Sequence, residues 1–306
     1  MQFTQLIYFI EVERCGSIRE AAKKMNVAPS AISRQIANLE NDINMPLFER
    51  RPRGMILTAA GEIYAKYAQR LVAEKDKMVS EMEDLMGMQR GHIRIFTVEG
   101  ALNELLNKAV VEFRLINPNI TFSITITGSE EVLAGIRSVD ADIGLTYYAN
   151  PDAGVKFYTS MKAPLCAVMA PDYPLADSAD LRLRDIVNHP FAIPVKSFGI
   201  RGLLDSCCKA EGITITPALE TNSIEALRGF ARNGGGVSSI NQSSVFRDIL
   251  EGRLVAIPFS DHVLNHAFIN ICILQDRSLP LTTSSFLEFL QLKMQQFEER
   301  LNSLPN

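Results

Sequence analysis

The chain has 306 residues, 47% of them hydrophobic and 22% charged, a composition that excludes a disordered or low-complexity protein and gives enough length for two domains. The formal net charge is −4, so no overall basicity points to nucleic acid. The distribution says more: residues 1–70 hold ten Lys and Arg against seven Asp and Glu, a local +3 that leaves −7 for the rest, a mildly basic head on an acidic body.

Residues 3–14 read as an amphipathic helix whose Phe3, Leu6, Ile7, Phe9 and Ile10 pack behind the next two helices. Met1 runs almost directly into this helix, with Glu11, Glu13 and Arg14 inside it, so no signal peptide is read. No apolar run reaches the ~18–20 residues of a membrane span. The expectation is a cytoplasmic protein with no membrane partner. Five Cys at 15, 166, 207, 208 and 272 form neither a disulfide framework nor a CxxC pair, and no metal or cofactor is expected.

Ser17 to Gly54 organises the chain. Ser17 is placed as the N-cap of a short helix in which Ile18, Ala21, Ala22 and Met25 recur at helical spacing. Asn26, Val27 and Ala28 leave room only for a tight turn. Pro29 suits the first turn of the next helix. That helix carries Ile32, Ile36 and Leu39 on one face and Ser30, Ser33, Arg34 and Gln35 on another, side chains able to reach base edges and phosphates. Asn44 suits a left-handed C-cap. A hairpin-like stretch with Arg50, Arg51 and Arg53 before Gly54 then forms a basic tip, able to grip phosphate or a narrow minor groove. This is the pattern of a winged helix-turn-helix on double-stranded DNA; the alternative is a helical hairpin with a solvated basic face.

Residues 58–90 read as one long helix with Thr58 as its N-cap. Tyr64, Ala68, Leu71, Lys75, Met78, Met82 and Leu85 follow alternating steps of four and three, a coiled-coil seam with one polar interruption. The alternative is an amphipathic helix lying on its own domain. Gly87 to Gly91 is the expected hinge.

Phe9-Ile10-Glu11-Val12-Glu13, Gly16-Ser17, Ala21-Ala22, Ser30-Ala31-Ile32-Ser33, Ile36, Leu39-Glu40, Pro46-Leu47-Phe48-Glu49-Arg50 and Leu57-Thr58-Ala59-Ala60-Gly61 resemble the N-terminal signature of LysR-type transcriptional regulators. Ala28 departs from the Ser, and Asn44 from the Gly, common in that family. The resemblance implies dimerisation through the long helix, a homotetramer, contacts to the transcription machinery and a periplasmic-binding-protein-like effector domain. Pairing also makes physical sense, because two recognition helices read two related half-sites.

From His92 onward strands alternate with helices: strands at His92–Val98, Thr121–Gly128, Ala141–Tyr148, Leu165–Pro171, Pro190–Val195, Ile215–Thr221, Gly235–Asn241 and Ile269–Gln275, with helices between and a closing helix from Thr282 to Leu301. This predicts parallel sheet with crossover helices. The fold class is α/β overall: an all-α winged helix-turn-helix with a long linker helix, then a two-subdomain α/β effector domain. The divisions read as 1–58, 59–90 and 91–306, with subdomain I at about 91–162 and 268–306, subdomain II at about 163–267, and crossings near 161–164 and 266–269.

Ligands in such sheets bind beyond the carboxyl ends of strands. Thr97, Val98, Glu99 and Gly100 follow one strand; Thr127, Gly128 and Ser129 another; Pro194, Val195, Lys196, Ser197, Phe198 and Gly199 end a third. Tyr147, Thr221 and Asn222 are further candidates. Helix N-termini beside Lys196 favour an anion, whereas Glu99 opposes one. A small effector bearing both a carboxylate and a donor reconciles the two. Ser129, Ser197 and Ser223 can equally be helix caps.

Other patterns carry less. Gly234-Gly235-Gly236 lacks the Lys-Ser/Thr of a phosphate loop. His262 and His266 are not expected on a helix or on a metal. Cys207-Cys208 reads as reduced thiols on a helix. No nucleophile–base pair nominates an enzyme, and a ligand-capture protein would leave the arginine tip unexplained.

Overall fold

The computed structural model describes residues 2–51, 54–85, 90–149 and 154–304, with backbone alone at 76, 80, 81 and 83–85. Two compact units are present, residues 1–85 and 86–306.

Among the described residues the first unit has four helices and a hairpin: α1 (Phe3–Cys15), α2 (Ile18–Met25), α3 (Pro29–Ile43), β1 (Phe48–Arg51), β2 (Gly54–Leu57) and α4 (Ala59–Leu85). Its helix boundaries arise from local chemistry. Ser17 Oγ accepts from the Glu20 N–H at the start of α2, Pro29 opens α3, and Asn26 and Asn44 end helices at φ 55° and 57°. Thr58 Oγ1 accepts from the Gly61 N–H at 3.0 Å and donates to the Pro46 carbonyl at 2.7 Å, so one hydroxyl caps α4 and holds it to the entry of the hairpin. Leu6, Phe9, Ile10, Ala21, Ala22, Ile32, Ile36, Leu39, Leu47 and Ala68 form the core, and the Phe9 ring lies 4.9 Å from Phe48 and 4.7 Å from Tyr64.

The second unit contains β3 (Gly91–Thr97), α5 (Lys108–Ile116), β4 (Ile120–Ile126), α6 (Ser129–Arg137), β5 (Ile143–Tyr147), β6 (Val155–Lys162), β7 (Leu165–Met169), α7 (Leu183–Ile186), β8 (Phe191–Pro194), α8 (Gly199–Glu211), β9 (Leu219–Thr221), α9 (Ile224–Arg232), β10 (Val237–Asn241), α10 (Phe246–Leu250), β11 (Val255–Pro258), α11 (His262–Asn265), β12 (Phe268–Leu274) and α12 (Leu281–Asn302). Between β3 and α5 a tight turn at Glu99–Ala101 runs into a widened helical turn over Leu102–Asn107.

Two five-stranded sheets result, ordered β4-β3-β5-β12-β6 and β11-β7-β10-β8-β9. The expectation of parallel sheet holds for β3 with β4 and β5 and for β8 with β9 and β10, and is corrected elsewhere: β12 runs antiparallel to β5 and β6, and β7 antiparallel to β10 and β11. The cause is connectivity. The chain passes from one sheet to the other between β6 and β7 and returns between β11 and β12, and the two passages are tied where the Ala163 N–H donates to the Ala267 carbonyl at 2.8 Å. Strands joined by such a passage do not take the helix crossover that makes neighbours parallel. The strands β6 and β11 and the short helices α7, α10 and α11 are additions to the elements expected from sequence. Gly234 to Gly236 leads from α9 into β10, with the Gly235 N–H bonded to the Phe230 carbonyl at 2.9 Å.

Candidate functional site

In the first unit, α3 buries Ile32, Ile36 and Leu39 and exposes Pro29, Ser30 and Arg34, while Ser33 and Gln35 are half-buried at the edges of that face. Asn38, also exposed, extends the same face; its spacing of four from Arg34 was the signal. Ser17 is half-buried at its cap. Arg50 and Arg51 are exposed on β1, which pairs antiparallel with β2, and Arg53 lies outside the described residues. The hairpin is held to the end of α1 by the Met55 N–H donating to the Gly16 carbonyl at 2.8 Å.

The expected seam of α4 needs correction at its start. Tyr64 packs on Phe9, and Ala68 is 1% exposed inside the unit's own core. The outward stripe is Ile63, Tyr67, Leu71, Met78 and Met82, all exposed. Steps of four and three fit two adjacent stripes of one helix, and the packing of Tyr64 on Phe9 turns one of them inward. Lys75 sits with its ammonium 4.3 Å from the centroid of the Phe3 ring, a cation–π contact that explains a polar residue there. The Leu85 side chain and residues 87–89 lie outside the described residues.

In the second unit, the strand ends of the two sheets meet. Val98, Glu99, Gly100, Thr127, Gly128, Tyr147, Phe198, Gly199, Ile200, Ile224 and Asn241 line a cavity of about 20 Å³, room for about one water. The approach is close because two positions lack a side chain. A Cβ on Gly128 would lie 2.5 Å from the Ser197 carbonyl oxygen, and one on Gly199 would collide with the Tyr147 carbonyl. Glu99 crosses the junction: its carboxylate accepts from the Ile224 N–H at 2.9 Å, from the Glu225 N–H at 3.4 Å and from Ser223 Oγ at 3.5 Å. It therefore occupies the positive end of α9.

Several predicted contacts take other roles. Ser129 is buried, and its hydroxyl bonds the Tyr147 carbonyl and N–H at 2.8 and 3.1 Å. Thr97 is fully buried. Tyr147 lines the cavity, but its hydroxyl donates to the Ala163 carbonyl at 3.0 Å, and burial pushes the phenol well above its ordinary range. Lys196, Ser197 and Asn222 are exposed, and Lys196 is not among the lining residues, so among the described residues no Lys or Arg faces this cavity. Pro194 is buried at the end of β8, and Thr221 accepts through Oγ1 from the Ser223 N–H at 3.2 Å. Val98 and Gly199, within the stretches read as strand ends, also line it; sequence reasoning missed Ile200, Ile224 and Asn241, and Ile200 at a helix start was the legible signal.

Beside the cavity an open groove of about 440 Å³ is lined by Asn103, Glu104, Lys108, Arg228, Ser244 and Arg247, among others. Its charges are largely paired. Glu104 meets Lys108 at 2.6 Å and also Arg247, and Arg228 meets the fully buried Asp248 at 2.7 Å.

No group of three or more His, Cys, Asp and Glu that could hold a metal occurs among the described residues. His262 and His266 do lie at a short helix, against expectation, with rings stacked 4.1 Å apart and His266 Nδ1 2.8 Å from the His262 carbonyl. Burial pushes the Cys207 thiol up to about 12, so it is protonated and a poor nucleophile. No helix among the described residues is long and apolar enough to cross a membrane.

A winged helix-turn-helix followed by a two-sheet binding domain defines a class of ligand-responsive DNA-binding protein. The model described as "Bacterial regulatory helix-turn-helix protein, lysR family" matches residues 3–62, and "LysR substrate binding domain" matches residues 87–295. The chain belongs to the LysR family and is a LysR-type transcriptional regulator, not an enzyme. It is 26% identical over 295 residues to the transcriptional dual regulator GltC of Bacillus subtilis (strain 168), covering 95% of this chain and 96% of that one. It is 26% identical over 253 residues to the RuBisCO operon transcriptional regulator of Allochromatium vinosum, 83% of each. The fold is similar to a full-length OxyR variant from Pseudomonas aeruginosa (TM-score 0.67, 18% identity, 96% and 95% coverage). It is also similar to CbnR in complex with its target DNA (TM-score 0.56, 20% identity, 96% and 100% coverage).

Proposed function

We propose that this regulator acts in the cytoplasm as a dimer of α4-paired dimers, reading two-fold related half-sites with α3. Ser30, Ser33, Arg34 and Gln35 face bases, Pro29 and Ser17 set the helix entries, and Arg50, Arg51 and Arg53 hold phosphate. The observation that carries this reading is the exposed face of α3, polar with Ser30 and Arg34, beside a hairpin bearing Arg50 and Arg51. Most of the affinity then comes from phosphate contacts and falls with salt.

The effector is a small metabolite with a carboxylate and a hydroxyl or amine, held where the two sheets meet. Its carboxylate addresses the start of α8, where the N–H groups of Gly199 and Ile200 precede the first intrahelical bond. Its donor faces Glu99. Thr127, Gly128, Phe198 and Tyr147 shape the cavity, with Thr221 and Asn222 at its margin. Binding needs only ~1–3 kcal/mol of preference for one arrangement to shift DNA occupancy severalfold or more.

A nuclease footprint on the non-coding DNA beside the protein's own gene, with Arg34→Ala alongside, tests the DNA reading. Two related protected half-sites lost in the variant support it; no preferred DNA there or genome-wide defeats it. Calorimetry with amino, hydroxy and simple carboxylic acids tests the effector class, which fails if only cationic or hydrophobic compounds bind.

A further inference from the structure

Two carboxylates from one short segment reach across to elements of the other sheet. Glu99 lies in the tight turn after β3 and takes the first N–H groups of α9. Glu104, on the widened turn at Leu102–Asn107, is paired with Arg247 at the start of α10. In a regular α-helix, residues five apart lie about 140° around the axis, and their side chains leave in divergent directions. The tight turn leading into a widened one changes that geometry, and widened turns of this kind recur at functional sites. Between the two carboxylates, Ser244 Oγ contacts the Gly100 carbonyl at 3.4 Å. A Cβ on Gly100 would sit 3.0 Å from that same oxygen. The segment 99–104 thus meets three separate elements of the second sheet's layer: α9, the turn after β10, and α10.

We infer that Glu99 and Glu104 form a two-point latch that holds the two sheets of the effector domain together. The bonds differ in kind. Glu99 is held by backbone N–H groups and the Ser223 hydroxyl, and the nearby cavity is lined by no cation that could compete for it. Glu104 is 8% exposed at its side chain and is held by Arg247, which is 62% exposed. A ligand donor entering beside Glu99 draws on the same carboxylate oxygens that now cap α9. It releases one point of the latch directly and leaves the other to be weakened by movement of the shared segment. The domain is therefore built to be closed by its own carboxylates and reset by a ligand that engages one of them.

The use of this latch as a switch rests on the proposed effector, but its existence does not, and the test needs neither DNA nor effector. Hydrogen exchange is measured on the full chain and on Glu99→Gln and Arg247→Ala. Glutamine keeps the size of Glu99 but presents an amide NH2 to N–H donors. Losing a charged acceptor there speeds exchange of the Ile224, Glu225 and Ala226 amides about tenfold or more. Arg247→Ala removes a surface side chain whose ion pair is with Glu104, and under the latch it also speeds exchange at those three amides. A purely local cap at Glu99 predicts no response to Arg247→Ala. Faster exchange in both variants, with the β3 and β12 amides unchanged, supports the latch. An unchanged α9 start in either variant overturns it. If the latch holds while no carboxylic acid binds, only the effector reading fails.

Discussion

One oxygen of the Glu40 carboxylate, on α3, accepts the Leu47 N–H at 2.7 Å and the Phe48 N–H at 3.1 Å. The recognition helix and the first strand of the wing are thus joined by one side chain, so that Arg34 and Arg50 keep a fixed relation. Glu40→Ala leaves two N–H groups without this charged acceptor and is expected to cost about 1–3 kcal/mol in the stability of the first unit. Urea unfolding of residues 1–85 would show it as a lower midpoint with an unchanged slope. DNA affinity in the full chain should fall even where the unit remains folded, because the wing loses its tether.

The two arginine positions should separate by mechanism. Arg34 stands on the exposed face of α3, and its loss should cost about 1–3 kcal/mol at particular base pairs if it contacts a base in bidentate fashion. Arg50 is on the hairpin and should act on phosphate. Arg50→Ala is expected to weaken binding to all sequences alike and to reduce the slope of log K against log salt by about one. Fluorescence anisotropy at several salt concentrations, on cognate and scrambled duplexes, distinguishes the two; equal sequence dependence in both variants would contradict the assignment.

Corrected for the inward turn of Tyr64 and Ala68, α4 offers Leu71, Met78 and Met82 for pairing. Met78 is 52% exposed in the single chain. Met78→Glu should leave the fold of the first unit intact and place a charge within the seam, shifting sedimentation towards smaller species. Ala68→Glu instead inserts a charge into a fully packed core and should unfold the unit. If both variants merely change association, the stripe has been assigned to the wrong face.

The parts legible in sequence are those decided locally. Ser17, Pro29, Asn44 and Thr58 announce helix ends because each satisfies or dispenses with a backbone group within a few residues of itself. The apolar spacing of Ile32, Ile36 and Leu39 similarly identifies one buried face. Choosing between Tyr64 and Tyr67 depends on where Phe9 and Phe48 lie, which periodicity does not encode. The short edge strand β11 ends at Pro258 and, among the described residues, pairs only with β7, so little in its pattern separates it from a loop. The bond from Glu99 to the Ile224 N–H spans 125 residues. That a carboxylate at 99 conflicts with a bound anion is visible in sequence, but nothing local points to the helix that receives it.

Asp248 has no exposed side-chain surface and is held by Arg228 at 2.7 Å and Arg253 at 2.8 Å, with Arg232 at 3.6 Å. Burial alone would raise its pKa, yet the hydrogen bonds from Arg253 and Arg228 and their charges outweigh it, so the carboxyl titrates below the ordinary range. The unfolded chain, with an ordinary value of about 3.9, therefore takes up the proton at a higher pH than the folded one. The resulting stability is fully present above that value and is lost as pH falls through it towards the lower folded pKa. Asp248→Asn should thus lose on the order of 3 kcal/mol near neutral pH, because the arginines around it are left unpaired, and should lose progressively less relative to the wild type below about pH 4. Thermal melts of the two proteins between about pH 3 and 7, a window set by those same values, provide the comparison. Curves that stay parallel down to the acid limit would show that Asp248 contributes through packing and not through its charge.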